Sequence, residues 1–182
     1  LEALRERCDR TGALLVFDEI QTGLGRTGAL FAMQRYGVTP DIVCLAKAFG
    51  GGMPLGAFVA AKRTMDALQT DPALGHITTF GGHPVCSQRD FDYLTRNRVV
   101  EQVEAKGALY EELLAGHPQV REIRRSGLLL AVELGDAAKL YRMMELFKEA
   151  GILSDWFLYC DTAFRISPPL TITEEEVRDS AA

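Results

Sequence analysis

Two ionisable residues stand where apolar segments of the sequence end. Residues 13–17 form the unbroken apolar run ALLVF, and Asp18 follows it directly. A second apolar run, IVCLA at residues 42–46, ends at Lys47. Such runs are typical of strands covered on both faces, as in a parallel sheet, and ligands bind at the carboxyl ends of these strands. The sequence therefore predicts an acid and an amine at one edge of a sheet.

An amine and a carboxylate at one edge are the pair of groups that pyridoxal phosphate requires. The amine forms an imine with the cofactor's aldehyde, and the carboxylate pairs with the protonated ring nitrogen. The apolar neighbours of Lys47 and the glycines at 50–52 favour a partly desolvated amine, which suits a nucleophile. From the residues alone, two ordinary alternatives remain open. Asp18 could be a helix cap or a partner in a loop salt bridge, and Lys47 could be a solvated loop lysine.

The order of elements indicates an α/β layer followed by a smaller α+β unit. Helix, strand, loop, strand and strand succeed each other over residues 1–61, and a mostly parallel sheet with helices is expected there. From Val99 onward, amphipathic helices alternate with short strands. We therefore predict a partial large domain at 1–90 and a small domain at 91–182. The expected elements of the small domain are helices at 99–116 and 137–150, the second capped by Asp136, strands at 120–123, 127–134, 152–153 and 163–166, and a helix start at Thr173.

Composition argues against several classes of protein. The chain has 25 acidic and 20 basic residues, a net charge of −5, so no basic face for a nucleic acid is expected. The longest apolar runs, such as Leu128–Val132, are too short to cross a bilayer. The four cysteines show neither CxxC nor Cys/His metal spacing. No metal site is expected, and a reducing cytoplasm fits best.

Four segments resemble the class III (omega-type) pyridoxal-phosphate-dependent aminotransferases and occur in the order of that family. The most similar subgroup comprises the acetylornithine, ornithine and 4-aminobutyrate aminotransferases. The segments are DEIQTGLGRTG at 18–28, PDIVCLAKAFGGG at 40–52, HITTFGGHP at 76–84 and FRISPPL at 164–170.

The resemblance implies a fold-type I large domain and a role for each matching residue near the cofactor. Lys47 would bind pyridoxal 5'-phosphate covalently and, once released by substrate, would move a proton as the catalytic base. Asp18 would hold the ring nitrogen. Ile20 would pack on one ring face, and Gln21 would lie near the phenolic oxygen. The ordinary alternatives are a core role for Ile20 and a turn cap for Gln21.

Two further residues are implied to act on the phosphate and on the substrate. Thr79 would donate to the phosphate, in this family usually that of the neighbouring subunit's cofactor, so a homodimer is expected. Arg165 would bind a substrate carboxylate through a bidentate pair. Alternatively, Thr79 precedes a turn and Arg165 pairs with a surface acid. The substrates would be an amino acid, with an omega-amine expected, and a 2-oxo acid.

The match also departs from the family. It covers only the later half of a family enzyme, without the upstream glycine-rich phosphate turn, so an open sheet edge and uncovered apolar faces are expected. After Val85 the sequence CSQRDFDY replaces an alanine-rich helix of the relatives. Alternatives to an aminotransferase therefore stay open. One is another reaction of the same fold (aminomutase, racemase or decarboxylase), and the other is a catalytically silent structural or dimerising module.

Overall fold

The chain folds into two compact units. The computed structural model describes residues 1–71, 82 and 87–182. The first unit comprises Leu1–Gly25 and Ala29–Arg98, and the second comprises Arg26–Gly28 and Val99–Ala182. The domain boundary expected between residues 90 and 91 stays a prediction.

Within its described residues, the first unit contains a three-stranded sheet and four α-helices. Its α1 helix ends where Gly12 adopts a left-handed conformation with φ of 72°, which glycine accepts without cost. A 3-10 turn, Lys47–Gly50, follows the second strand. The elements are α1 (Glu2–Thr11), β1 (Val16–Asp18), α2 (Ala32–Tyr36), β2 (Ile42–Leu45), β3 (Ala57–Ala60), α3 (Lys62–Met65) and α4 (Ser87–Arg96).

The sheet of the first unit has the order β1-β2-β3. Strands β1 and β2 are parallel, with Asp18 opposite Cys44, whereas β2 and β3 are antiparallel. Side chains on these strands remain open to solvent, since Val16 is 50% exposed and Val59 54% exposed. This exposure agrees with the uncovered apolar faces that the sequence predicts.

Asp41 connects α1 to the start of the sheet. Its Oδ2 atom accepts hydrogen bonds from the backbone N–H of Leu15 and from Nη1 of Arg5, both at 2.8 Å. The N–H of Leu15 and then the guanidinium of Arg5 hold the pKa of the Asp41 carboxyl below its usual range. The entry into β1 is therefore fixed by an acid that lies just before β2.

The second unit is an α+β layer with one antiparallel sheet of order β4-β5-β7-β6. Helices α5 and α7 cover one core cluster around Val103, Leu130 and Val177. Helix α6 covers a second, around Leu140 and Phe164. The elements are α5 (Val99–Leu114), β4 (Glu122–Ser126), β5 (Leu129–Glu133), α6 (Ala137–Glu149), β6 (Asp155–Phe157), β7 (Cys160–Ile166) and α7 (Glu174–Ala181).

The predicted cap of α6 is confirmed, whereas the strand predicted at 152–153 is wrong. Asp136 accepts the backbone N–H of Lys139 at 3.1 Å. The N–H of Ile152 is used at the other end of this helix, where it donates to the carbonyl of Phe147 at 2.7 Å. Because Ile152 completes the helix terminus, the strand begins only at Asp155. Across the described ranges, no helix has the length and apolarity needed to cross a membrane.

Candidate active site

The first unit brings Asp18 and Lys47 to the same edge of its sheet. Asp18 is the last residue of β1, and its partner in register is Cys44 of the parallel strand β2. The ladder continues one step further, where the N–H of Glu19 donates to the carbonyl of Cys44 at 3.0 Å. Lys47 follows two residues after the end of β2. The acid and the amine therefore leave adjacent parallel strands at their carboxyl ends, as the sequence predicts.

Lys47 has an unusual backbone conformation. It begins the 3-10 turn after an extended Ala46, and its φ is +50°. A residue with a Cβ pays about 1–2 kcal/mol in this left-handed region, and such strain often accompanies functional positions. The side chain is exposed, and the described part of the chain supplies its amine with no hydrogen-bond partner.

Asp18 uses one of its two carboxylate oxygens within the loop that follows it. Its Oδ1 atom accepts the backbone N–H of Ile20 at 2.9 Å, which is the turn-stabilising contact that short acids commonly make. This turn contact is neither the helix cap nor the loop salt bridge that were the ordinary alternatives for Asp18. Among the described residues no partner uses Oδ2, so this exposed carboxylate keeps an oxygen for a ligand.

The other residues assigned near the cofactor contribute less to the observed geometry. Ile20 and Gln21 are half-buried in the loop after β1. They lie one and two residues beyond the β1–β2 ladder, and their proposed contacts with a cofactor stay predictions. Thr79, proposed to bind the phosphate, lies outside the described residues.

Glu19 is the residue of this loop that the sequence analysis did not single out. It is buried, with 3% exposure. Its carboxylate accepts the hydroxyl of Thr22 at 2.5 Å and the backbone N–H groups of Ala32 and Met33 at 3.1 and 2.8 Å. The carboxylate therefore holds both the turn after Asp18 and the first turn of α2. The only sign of this role in the sequence is that Glu19, a second acid, directly follows Asp18.

In the second unit, Arg165 already pairs with an acid of the same sheet. It lies on β7 opposite Asp155 of β6, and its Nη2 atom donates to Oδ2 of Asp155 at 3.1 Å. The ring of Phe157 lies 6.0 Å from its guanidinium carbon. Arg165 is only a quarter exposed. A substrate carboxylate would have to share this guanidinium with Asp155 or displace it.

Arg26 was not predicted as a site residue, yet it lies within electrostatic range of Arg165. Its Nη1 atom donates to the carbonyls of Leu128 and Pro168 at 3.0 and 2.6 Å. Burial, and secondarily the charge of Arg165, lower the pKa of Arg26 to about 10. Arg26 therefore remains a cation at neutral pH. Its partners are backbone carbonyls far away in sequence, and no sequence motif predicts such contacts.

The fold and this site together define a class of protein. A lysine and an acid at the carboxyl edge of an α/β sheet, followed by an α+β unit, are the arrangement of fold-type I pyridoxal-phosphate enzymes. The family model described as Aminotransferase class-III matches residues 1–181. The chain belongs to the class III aminotransferase family.

Relatives with assigned names agree with this family. The chain is 43% identical to the putrescine aminotransferase of Pectobacterium atrosepticum, over 97% of this chain and 39% of that protein. It is 40% identical to the acetylornithine aminotransferase of Corynebacterium efficiens, over 99% of this chain and 44% of that protein. The chain thus spans less than half the length of these relatives.

Solved structures show the same fold. An (S)-enantioselective omega-transaminase from Thermomicrobium roseum superposes with a TM-score of 0.85 at 34% identity, over 99% of this chain and 44% of that one. The ornithine aminotransferase of Toxoplasma gondii superposes with a TM-score of 0.84 at 35% identity, with the same coverage.

Proposed function

We propose that this chain provides the lysine and the ring-binding acid of a pyridoxal-phosphate-dependent aminotransferase that moves an amino group from an amino acid to a 2-oxo acid. The observation that supports the proposal best is the exit of Asp18 and Lys47 from adjacent parallel strands at one edge. The donor set fits the cofactor: Lys47 has a primary amine for an aldehyde, and Asp18 has a carboxylate oxygen for a protonated ring nitrogen. No described group competes for either atom.

The chemistry divides between the cofactor and the chain. When bound, pyridoxal phosphate supplies an aldehyde for amines and a ring that accepts electron density from the reacting carbon. Asp18 would hold the ring nitrogen in its protonated form through charge pairing. The amine of Lys47 would be displaced by the donor and would then take a proton from the carbon that bears the amino group. The positive φ of Lys47 supports this assignment, because backbone strain of this kind often accompanies functional positions.

The amino donor is proposed to be an omega-amine, such as acetylornithine, ornithine or 4-aminobutyrate. The relatives named above act, by their names, on putrescine, acetylornithine and ornithine, which supports a donor with a terminal amine. Arg165 would bind the carboxylate of one substrate, in exchange for part of its pairing with Asp155. A homodimer, with Thr79 reaching the neighbouring cofactor's phosphate, and a cytoplasmic location complete the proposal.

The first test is an absorbance titration of the purified chain with pyridoxal phosphate. We expect a band of lysine-bound cofactor, distinct from that of the free aldehyde, that Lys47→Ala abolishes. The matched control is Lys62→Ala, because Lys62 is an exposed lysine of the same unit, 84% exposed, whose partner among the described residues is Asp66 at 2.8 Å. A band that Lys62→Ala removes equally, or that Lys47→Ala leaves unchanged, would refute the assignment of Lys47.

The second test separates reaction types. We expect amine transfer to 2-oxoglutarate and a rate loss of about 10²–10⁴-fold in Lys47→Ala, the usual contribution of a positioned proton carrier. Carbon dioxide release, or isomerisation without an acceptor, would instead indicate a decarboxylase, an aminomutase or a racemase. A chain that dimerises in light scattering but shows no band would be the silent structural module. The exposed apolar residues of β1 and β3 give that alternative its physical basis.

A further inference from the structure

The chain segment that follows Arg165 is held through its carbonyl groups. Beyond the end of β7, the carbonyl of Pro168 accepts from Nη1 of Arg26 at 2.6 Å. The carbonyl of Pro169 accepts the N–H of Ile172 at 3.0 Å. The carbonyl of Leu170 accepts from the amine of Lys106 at 3.1 Å. Because two prolines in this segment lack an N–H, its position depends on donors from elsewhere, and two of these donors are cations.

Both the guanidinium group and the backbone carbonyl of Arg26 make hydrogen bonds. The same Nη1 atom that binds Pro168 also donates to the carbonyl of Leu128 at 3.0 Å, and the N–H of Leu128 donates back to the carbonyl of Arg26 at 3.0 Å. Gly127 permits this approach, since a Cβ at that position would lie 2.6 Å from the carbonyl oxygen of Arg26. The side chain therefore joins the β4–β5 turn to the segment after β7 in one geometry.

Arg26 and Arg165 are close enough for their like charges to interact. Burial and the charge of Arg165 lower the pKa of Arg26, and the interaction between like charges is mutual. Arg165 has one described acidic partner, Asp155, which is more than half exposed. Arg26 thus adds positive charge to that of Arg165, whose described ion-pair partner is Asp155, and this favours the arrival of a second carboxylate.

We propose that Arg26 is a positioning residue for the substrate carboxylate site at Arg165, acting by fixing Pro168 three residues beyond Arg165 and by adding a half-buried positive charge. This inference rests on the proposed function, because the role of Arg165 in binding substrate is itself proposed. According to this inference, Arg26 affects the affinity for the substrate carboxylate and does not affect cofactor binding.

Lys106 provides the comparison that separates positioning from general stability. Lys106 is a buried cation, 7% exposed, whereas Arg26 is half-buried, and both hold the same segment through a backbone carbonyl. Lys106 does so at Leu170, two residues further from Arg165. If the segment only needed to be anchored, Lys106→Met and Arg26→Met should change carboxylate affinity to the same extent.

The experiment measures carboxylate binding directly. Glutarate, a non-reactive dicarboxylate, is titrated calorimetrically into cofactor-loaded wild type, Arg26→Met, Arg26→Lys, Lys106→Met and Arg165→Met, with thermal midpoints recorded in parallel. We expect about a 10-fold weaker affinity in Arg26→Met, the loss typical of one charge-assisted interaction, and an intermediate value in Arg26→Lys. Lys106→Met should lower the thermal midpoint with less than about a twofold change in affinity. The absorbance band of the lysine-bound cofactor should be unchanged in all four variants.

Each alternative result has a distinct meaning. If Arg26→Met and Lys106→Met weaken glutarate equally at equal loss of stability, Arg26 is an anchor only and the inference fails. The inference is also refuted if Arg26→Lys and Arg26→Met bind glutarate with unchanged affinity. If Arg26→Met does not fold, the affinity of Arg26→Lys alone tests the inference. If Arg165→Met still binds glutarate normally, the assignment of Arg165 is wrong, and the inference falls with it. The wild type could also bind glutarate through Arg165 and yet show no amine transfer. That result would refute the proposed function and leave the inference standing.

Discussion

Replacing Glu19 by alanine should loosen the loop that follows the candidate cofactor acid. The carboxylate of Glu19 accepts three hydrogen bonds, from the hydroxyl of Thr22 and from the N–H groups of Ala32 and Met33. Alanine removes the acceptor and leaves these donors near an apolar side chain. The two N–H groups open the first turn of α2, where the helix supplies no acceptor of its own.

The magnitude follows from the donors left behind. A buried donor that loses its partner costs about 1–3 kcal/mol, and two backbone N–H groups are affected. The hydroxyl of Thr22 is half-buried and can turn to solvent, so its loss adds less. We therefore expect Glu19→Ala to lower the free energy of unfolding by about 3–5 kcal/mol. Glu19→Gln keeps one acceptor oxygen but loses the charge, so a cost of about 1.5–3 kcal/mol is expected.

Amide hydrogen exchange and urea unfolding measure the effect at two levels. Exchange should accelerate most at the N–H groups of Ala32 and Met33, and the urea midpoint should fall in the order wild type, Glu19→Gln, Glu19→Ala. Glu6→Ala is the control, because Glu6 is exposed on α1 of the same unit. If the amides of Ala32 and Met33 stay protected in Glu19→Ala, these hydrogen bonds do not hold the loop, and the reasoning is refuted.

Other consequences of the structure are testable by stability measurements. Gly127→Ala should destabilise the chain by more than about 2 kcal/mol, since it combines a left-handed φ of +60° with a Cβ 2.5 Å from the carbonyl carbon of Thr27. Gly151→Ala is its control, because Gly151 also has a positive φ of +77° but a Cβ there meets nothing within 4 Å, so only the backbone cost of about 1 kcal/mol should appear. Backbone N–H bonds hold the pKa values of the Asp136 and Glu176 carboxyls below their usual range. The stability they contribute should thus be present above about pH 4.5 and lost as pH falls through the lower folded-state pKa. Thermal midpoints between pH 6 and 2 should show this loss, and it should be smaller in the Asp136→Asn, Glu176→Gln double variant. An unchanged acid slope would show that these caps do not contribute.

The strand ends of the first unit could be predicted because they depend on local sequence. Each apolar run stops at a charged residue, and this change of residue type marks the end of the strand in the sequence, although the side chains of β1 are partly exposed in the structure. This placed Asp18 and Lys47 correctly at the ends of β1 and β2. The antiparallel pairing of β3 was not predicted, because strand direction depends on how the glycine-rich turn after Lys47 leads the chain back. That path is a tertiary property.

The contacts of Glu19 and Arg26 could not be predicted, because their partners are backbone groups. Every residue has a backbone carbonyl, and every residue except proline has an N–H, so the sequence does not mark which of these groups a side chain will meet. Arg26 reaches carbonyls 102 and 142 positions away. The strand expected at 152–153 failed for a related reason. Its β-favouring residues were outweighed by the N–H of Ile152, which completes the end of α6.

Several residues of the segment from Asp18 to Gly28 have contacts that explain them by architecture, whereas Asp18 is proposed to serve chemistry. Asp18 has a carboxylate oxygen that no other described residue uses, whereas Glu19 anchors the start of the loop in the first unit. Gly23 lets the turn close, because a Cβ there would lie 2.8 Å from the carbonyl oxygen of Glu19. Arg26 then anchors the end of the loop in the second unit. If this division is right, the two anchors have separable effects: loosening Glu19 should weaken cofactor binding, because Asp18 precedes it directly, and loosening Arg26 should weaken carboxylate binding at Arg165. A variant of either residue that reduced both affinities in parallel would mean that the loop acts as one rigid element, and that the two anchors cannot be assigned separate roles.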